Sequence, residues 1–286
     1  MAEVFRRMIF ITLRSKYDRQ MNGQIPNWGG KKTTVMKKKL LIVAGWLAAW
    51  QLLSLLVHNP ILMAGPAETL QALAELAVTA EFGESLAFSF LRIVGGFLAG
   101  SAAGILLAYL ADRKKLFGEI LSPLVTVLKS VPVASFIILA LIWFGSGALS
   151  FVISFLVVFP ILYLNMQQGL QSLDEKLLEM AEVFHIPSAS RMKYIVLPGV
   201  YPFLQSGFAL ALGMSWKSGV AAELIGQYKL SIGNQLYMDK ITLDTAGVFA
   251  WTVVILLVSW LFEKAFLALL RLAGSRITGE GGMAEK

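Results

Sequence analysis

The sequence predicts an all-α membrane protein with about six transmembrane helices. Of its 286 residues, 57% are hydrophobic and only 15% are charged, whereas an average soluble domain has roughly 25% charged residues. The apolar residues are collected in runs of about twenty, the length that crosses about 30 Å of hydrocarbon. Lys and Arg residues cluster beside these runs, as expected of charges that set the orientation of membrane spans.

Composition also excludes several classes of protein. The chain has no Cys, so disulfides, thiolate metal sites and Cys nucleophiles are excluded. Its two His residues, His58 and His185, are far apart in sequence, and no HExxH pair is present to hold zinc. The net charge of +7 reflects membrane orientation better than nucleic-acid binding, and we expect no nucleic-acid partner.

The order of polar and apolar segments predicts three regions and the sidedness of the spans. Residues 1–35 form a basic tail, 36–275 the membrane domain and 276–286 a polar tail. The basic tail at residues 1–35 is either a genuine cytoplasmic segment or is not translated in the native protein. In the second case, translation would start near Met36. The acidic stretch after the first span lacks Lys and Arg and faces outward, which places both termini in the cytoplasm. The predicted spans are residues 40–57, 86–111, 119–144, 149–166, 195–216 and 246–270.

Two parts of this layout are irregular. The third span is expected to break at residues 129–132, because Pro132 cannot donate a backbone hydrogen bond. A tight turn at residues 145–147 then leads into the fourth span. Residues 217–245 either continue the fifth helix or re-enter the membrane, which requires that protein or water covers the irregular backbone.

Small and ionisable residues inside the spans suggest distinct roles. Gly96, Gly100 and Gly104 recur at every fourth position of the second span, and Gly207 begins a similar series in the fifth, so these residues are expected at helix contacts. Lys129 and Glu223 are the charged groups expected at membrane depth. Such charges usually line a pathway or pair with one another, although Lys129 can instead extend to the cytoplasmic interface.

A polar segment at residues 167–194 joins two spans on the cytoplasmic side. Its apolar residues follow helical spacing, while Asp174, Glu175, Glu179 and Glu182 form an acidic face. Acidic residues would be repelled by an anionic inner leaflet, so a protein partner suits this helix better than a lipid surface. Pro187 is expected to end the helix, and Pro198 to mark the start of the next span.

This segment resembles the cytoplasmic EAA loop of bacterial ABC importer permeases. The resemblance is carried by Glu179-Met180-Ala181, by His185 and by Ile195-Val196-Leu197-Pro198. It departs from the family pattern at Met180, where the pattern has Ala, and at His185, where it has Gly. The resemblance implies a MetI-like permease fold in which this loop docks onto a cytoplasmic ATPase. The implied docking residues are Glu179, Met180, Ala181, Phe184, His185, Ile195, Leu197 and Pro198.

Further stretches are similar to the nitrate, sulfonate and taurine branch of that family, among them KSVPVASFIILALIWFG and GMSWKSGVAAELIG. The implied protein is a non-enzymatic permease subunit in a bacterial inner membrane, importing a small anion. Its partners would be ABC ATPases that bind ATP and Mg, an external substrate-binding protein and a second permease copy. The implied pathway residues are Arg92, Lys129, Trp216 and Glu223.

Other functions are left open by the sequence. A thiamine-precursor pyrimidine is a second substrate known in the same branch. An ion-coupled carrier would need an inverted repeat and buried acidic residues, and a membrane enzyme would need clustered polar groups. We find neither the repeat nor the cluster, and no GxxxxGK[ST] nucleotide loop occurs in the chain.

Overall fold

The computed structural model describes residues 32–59 and 61–278, which are helical apart from short connections. Residues 32–53 belong to one compact unit and the described residues from Ser54 onward to a second. The predicted tails lie largely outside the described residues, although the last helix continues to Thr278. The helices are α1 (Lys32–Val57), α2 (Pro66–Ala77), α3 (Ala80–Arg113), α4 (Lys115–Ser130), α5 (Val133–Gln171), α6 (Glu175–Val183), α7 (Ser188–Arg191), α8 (Leu197–Gly226), α9 (Ile232–Thr242) and α10 (Thr245–Thr278).

Four helical stretches are long and apolar enough to cross a membrane. They are Ala80–Arg113, Val133–Gln171, Ser188–Gly226 and Thr245–Gly274, and Leu41–Val57 is a shorter apolar helix. The all-helical membrane architecture is therefore confirmed. The count of six spans and the cytoplasmic placement of both termini stay predictions.

Helix α5 folds back on itself at Gly145. This residue has φ 69° and ψ 174°, a left-handed conformation that glycine adopts without steric cost. Ile137 and Ile153 lie in one buried cluster, although a straight helix would separate them by about 24 Å. Residues 133–144 and 146–171 therefore form a helical hairpin, and the predicted turn of three residues is reduced to one.

The predicted break before this hairpin is confirmed. Helix α4 ends at Ser130, Val131 is extended with φ −76° and ψ 134°, and α5 starts at Val133. Pro132 is the residue before the new helix, where its missing N–H removes no intrahelical hydrogen bond. The predicted third span is thus divided between α4 and the first half of α5.

Glycines of α3 bring its backbone against the second half of α5. A Cβ atom built on Gly100 would lie 2.8 Å from the Phe155 carbonyl oxygen, and one on Gly104 would lie 2.7 Å from that of Phe159. In the same way, a Cβ atom built on Gly96 would lie 2.8 Å from the Cβ of Ser154. Small residues allow such contacts between helices in lipid, where no hydrophobic force drives them together.

Helix α8 forms the second close contact with α5. A Cβ on Gly207 would lie 2.9 Å from the Cβ of Asn165. Phe97 of α3, Leu162 of α5 and Leu212 of α8 share one buried cluster. Phe266 of α10 stacks edge-on against Phe97 with ring centroids 5.1 Å apart. The core is therefore built from α3, α5 and α8, with α10 packed against it.

Two helices extend past the approximate boundaries given by the sequence. Helix α8 continues to Gly226 before Gln227 enters the left-handed region at φ 50°. The first part of the 217–245 stretch is thus a continuation of the fifth helix, one of the two alternatives that the sequence left open. Helix α5 extends to Gln171, past the start of the polar segment at residue 167. The last turns of α5 and α8 mix polar and apolar residues, so they lack the long apolar run by which spans are recognised in a sequence.

Candidate functional site

The polar segment folds into a short helix that ends in a left-handed joint. Asp174 begins α6, with its Oδ1 accepting a hydrogen bond from the Lys176 N–H at 3.0 Å. At the other end the His185 N–H donates to the Glu182 carbonyl at 3.0 Å, and the Ile186 N–H donates to that of Ala181 at 2.9 Å. This pair of bonds defines a Schellman motif, whose left-handed position is usually glycine.

His185 occupies that left-handed position with φ 49°. The family pattern has Gly at the same point of the loop, so the departure in sequence leaves the backbone conformation of the joint intact. A non-glycine residue in this region has a steric cost of about 1 kcal/mol or more. The joint is therefore formed at the expense of some stability.

We expect His185→Gly to stabilise this joint by about 1 kcal/mol, because glycine removes the Cβ contact. Hydrogen exchange at the His185 and Ile186 amides should slow by about fivefold, measured on the purified chain in detergent. His58→Gly is the matched control, since His58 also has positive φ, 51°, and should leave exchange in this segment unchanged. Faster exchange in His185→Gly would contradict the assignment of strain to this residue.

The outer face of α6 is exposed and partly apolar. Ala181 is buried, at 2% exposure, and fixes the inner face of the helix. Val183 is 73% exposed and Phe184 is 67% exposed, while Glu179 and His185 are also exposed and Met180 is half-buried. An apolar surface beside exposed carboxylates is typical of a protein-binding face.

The segment is joined rigidly to a membrane span. Helix α7 passes into a π-helical turn, Met192–Val196, and then directly into α8. Ile195 and Val196 are buried, at 6% and 5% exposure, and Leu197 and Pro198 start α8, half-buried. Because Ser188–Gly226 is one continuous helical stretch, a force on α7 would act on the whole span.

The structure brings two of the four predicted pathway residues into one region. Arg92 of α3 lies over the rings of Phe88 and Tyr228, at 3.6 Å and 4.4 Å from their centroids. The two rings stack on each other with centroids 4.9 Å apart. The Arg92 guanidinium also interacts electrostatically with the Glu223 carboxylate. Arg92 therefore fixes the loop after α8 against α3.

Glu223 holds helix α9 in place. Its Oε2 accepts hydrogen bonds from the Ser89 hydroxyl at 2.7 Å and from the Gly233 N–H at 3.3 Å. The Ser89 Oγ in turn accepts from the Ile232 N–H at 2.9 Å. Glu223 is 2% exposed. Its carboxylate thus satisfies the Gly233 N–H directly and orients the Ser89 hydroxyl that accepts from Ile232, at a helix start that favours negative charge.

The other two predicted pathway residues lie elsewhere. Trp216 is 2% exposed and packs against Phe90 and Phe262, with ring centroids at 6.0 Å and 6.5 Å. Lys129 is exposed in the last turn of α4, where a cation complements the helix dipole. The four residues therefore do not form a single site.

A groove that the sequence analysis did not anticipate lies between α8 and α10. It has a volume of about 300 Å³ and includes Lys217 and Glu263 in its lining. Both residues belong to membrane-spanning stretches. The signal was available in sequence, because a charged residue inside an apolar span is a functional indication. Glu263, however, follows an apolar run directly beside Lys264, and only the fold shows that it lines the same groove as Lys217.

These features define a class: a multi-pass helical membrane protein with an exposed helical segment that is continuous with one of its spans. Residues 100–278 match the family of binding-protein-dependent transport system inner membrane components. The chain belongs to this family. It is a multi-pass permease component of a bacterial inner membrane and not itself an enzyme, and membership implies ATPase and binding-protein partners.

Three relatives show the range of the family around this chain. The candidate aliphatic sulfonates transport permease SsuC of Bacillus subtilis is 29% identical over 82% of this chain and 86% of its own length. The taurine transport system permease TauC of Escherichia coli is 26% identical, covering 78% and 82%. The nitrate import permease NrtB of Leptolyngbya laminosa is 30% identical, covering 49% and 50%.

Proposed function

We propose that this chain forms the translocation pathway for a small anionic solute in an ATP-driven importer. The names of the relatives, which cover sulfonates, taurine and nitrate, support an anion. Two copies of the chain would form the pathway, and an external binding protein would deliver the solute. ATP and Mg would bind to separate ATPase subunits, with no cofactor in this chain.

The continuity between the exposed segment and α8 carries this proposal. An ATPase that binds the face formed by Glu179, Val183 and His185 would move α6 and α7 as it closes. Since α7 continues into the span, the motion would tilt α8 and alternate the access of the pathway. Glu179, Met180, Ala181, Phe184, His185, Ile195, Leu197 and Pro198 remain the residues proposed for this coupling.

Two alternatives have weaker support. An importer for a pyrimidine precursor of thiamine would use the same coupling segment. None of the relatives described above is named for such a substrate. An ion-coupled carrier would need an acidic residue free to change its protonation during transport. Glu223, the acidic group considered for that role, accepts hydrogen bonds from Ser89 and Gly233 through Oε2, which supports a structural role at the start of α9.

We expect Glu179→Lys to prevent binding of the ATPase, because it places a cation in the centre of the acidic face. The tagged chain would be purified in mild detergent with its coexpressed ATPase, and the retained ATPase would be measured by mass spectrometry. A tenfold loss or more is expected, corresponding to about 1.4 kcal/mol in binding. Solute uptake should fall in parallel.

Glu81→Lys is the matched control, because Glu81 is also exposed and lies in the first turn of α3, at the opposite end of that helix from Ala108 and Ala111, which share a buried cluster with Val196 of the segment. It should leave ATPase recovery unchanged. Equal recovery with wild type, Glu179→Lys and Glu81→Lys would contradict the coupling role of the segment. Absence of any ATPase with an intact wild-type oligomer would favour the stand-alone carrier.

A further inference from the structure

The groove between α8 and α10 places charged and apolar groups side by side within the membrane-spanning region. Lys217 of α8 is exposed and Glu263 of α10 is half-buried, and both line the cavity of about 300 Å³. The remaining walls are mostly apolar, including Leu212, Val220 and Ile255. A volume of this size accommodates a small organic molecule.

Neither charge in the groove has a counter-ion within the part of the chain that the structure describes. Lys217 and Glu263 do not form an ion pair with each other or with another described residue. Charges inside a membrane span are expensive unless they meet water or a partner of opposite charge. The groove therefore favours an occupant that supplies both an anionic and a cationic group.

Trp216 forms part of the apolar wall of the groove. Its side chain lines the cavity, is 2% exposed and packs against the rings of Phe90 and Phe262. Its Nε1 is buried and has no hydrogen-bond partner among the described residues, so the ring rather than the N–H contributes to the groove. Lys217 is therefore the group of the groove that attracts an oxyanion.

Lys217 and Glu263 lie toward opposite ends of the groove. Helices α8 and α10 are antiparallel, since Tyr201 near the start of α8 donates to the Leu270 carbonyl near the end of α10. Lys217 lies one turn after Gly213 on α8, and Glu263 lies one turn after Ser259 on α10. Because the two helices run in opposite directions, these two steps lead in opposite directions along the groove. Gly213 leaves the space between them open, because a Cβ atom there would meet nothing within 4 Å.

We propose that the groove binds a short zwitterion, with its sulfonate or similar oxyanion at Lys217 and its ammonium group at Glu263. This inference rests on the proposed function and specifies where the solute is recognised. The sulfonate oxygens accept hydrogen bonds from the Lys217 ammonium, and the methylene groups lie on the apolar walls, which include the Trp216 ring. A sulfonate without an amino group leaves the Glu263 carboxylate without a counter-ion, so Glu263 selects against it.

The test compares two probes that differ only in the amino group, taurine and ethanesulfonate. Equilibrium dialysis with labelled probes would measure their binding to the purified complex of permease and ATPase, without the external binding protein. The selectivity observed is then that of the membrane complex alone. ATP-driven uptake by proteoliposomes with the binding protein would be measured in parallel.

Removing each charge should affect the two probes differently. Lys217→Gln is expected to weaken binding of both probes by about tenfold or more, since it removes a charge-assisted hydrogen bond to the oxyanion. Glu263→Gln should weaken taurine binding by about tenfold and leave ethanesulfonate unchanged or tighter. Lys217→Arg keeps the charge and should retain binding of both probes, which distinguishes ligand contact from loss of folding.

Lys264→Gln is the matched control, because Lys264 is exposed and next to Glu263 but does not line the groove. This variant should bind taurine and ethanesulfonate as wild type does. Equal binding of the two probes to wild type, no binding of taurine, or unchanged taurine binding in Lys217→Gln and Glu263→Gln would overturn the inference. ATP-driven anion uptake that persists in those variants would leave the proposed function standing.

A lipid headgroup could supply an anionic group to Lys217 from the bilayer instead. Native mass spectrometry of the complex from vesicles containing phosphatidylglycerol would detect it. Loss of a bound phosphatidylglycerol in Lys217→Gln, with taurine binding unchanged, would assign the groove to lipid and overturn the inference. If wild type and Lys217→Gln retain the same lipid and only Lys217→Gln loses taurine binding, the result supports the zwitterion site.

Discussion

Gly100→Leu is expected to prevent stable folding of the membrane domain. A Cβ at this position would lie 2.8 Å from the Phe155 carbonyl oxygen and 3.2 Å from the Cβ of Val158. Both neighbours belong to the buried face of α5, so α3 and α5 would have to separate along their contact. Overpacking in a close-packed interior costs about 1–3 kcal/mol, and more where backbone must move. We expect the larger value, because the nearest atom is a backbone oxygen.

Thermal unfolding and monodispersity of the detergent-purified protein would measure this effect. Gly83→Leu is the matched control on the same helix, because a Cβ at Gly83 meets nothing within 4 Å. It should behave as wild type. Normal expression and unfolding temperature in Gly100→Leu would show that α3 and α5 do not form the close contact described here.

Local rules of backbone chemistry correctly predicted the irregular points of the fold. The break at Pro132 follows from a missing N–H, and the joint at His185 coincides with the pattern position where glycine is usual. Small residues at every fourth position predicted that α3 is a contact helix, and α3 packs through Gly100 and Gly104. Each of these features depends on a few neighbouring residues.

Features that depend on distant parts of the chain were not predictable in this way. Helix α8 continues through Ala222, which packs in the hairpin cluster, and this tertiary contact is not visible in the sequence, which left open whether the stretch continues the helix or re-enters the membrane. The pathway role of Arg92, Trp216, Glu223 and Lys129 stays a prediction, because a pathway is formed by residues from several helices and sequence alone does not give their relative rotation. The groove is lined by Lys217 of α8 and Glu263 of α10, and a single sequence contains no information on which residues of two helices share a cavity.

Glu223→Ala is expected to release α9 from the membrane core. The substitution leaves the Ser89 hydroxyl and the Gly233 N–H without their acceptor. An unsatisfied buried polar group costs about 1–3 kcal/mol. Hydrogen exchange in residues 228–242 should therefore accelerate by about tenfold or more, and cleavage after exposed Lys229 should increase.

Glu223→Gln separates this structural role from a role in transport. The amide oxygen can still accept from Ser89 and Gly233, so exchange in α9 should stay within about threefold of wild type and uptake should be retained. Glu84→Ala controls for loss of a carboxylate on the exposed part of α3 and should change neither measurement. If Glu223→Gln abolished uptake while α9 remained protected, the carboxylate would act on the solute or on a coupled proton. Loss of protection in Glu223→Ala with retention in Glu223→Gln instead identifies a hydrogen-bonding group that fixes α9 to α3 and α8.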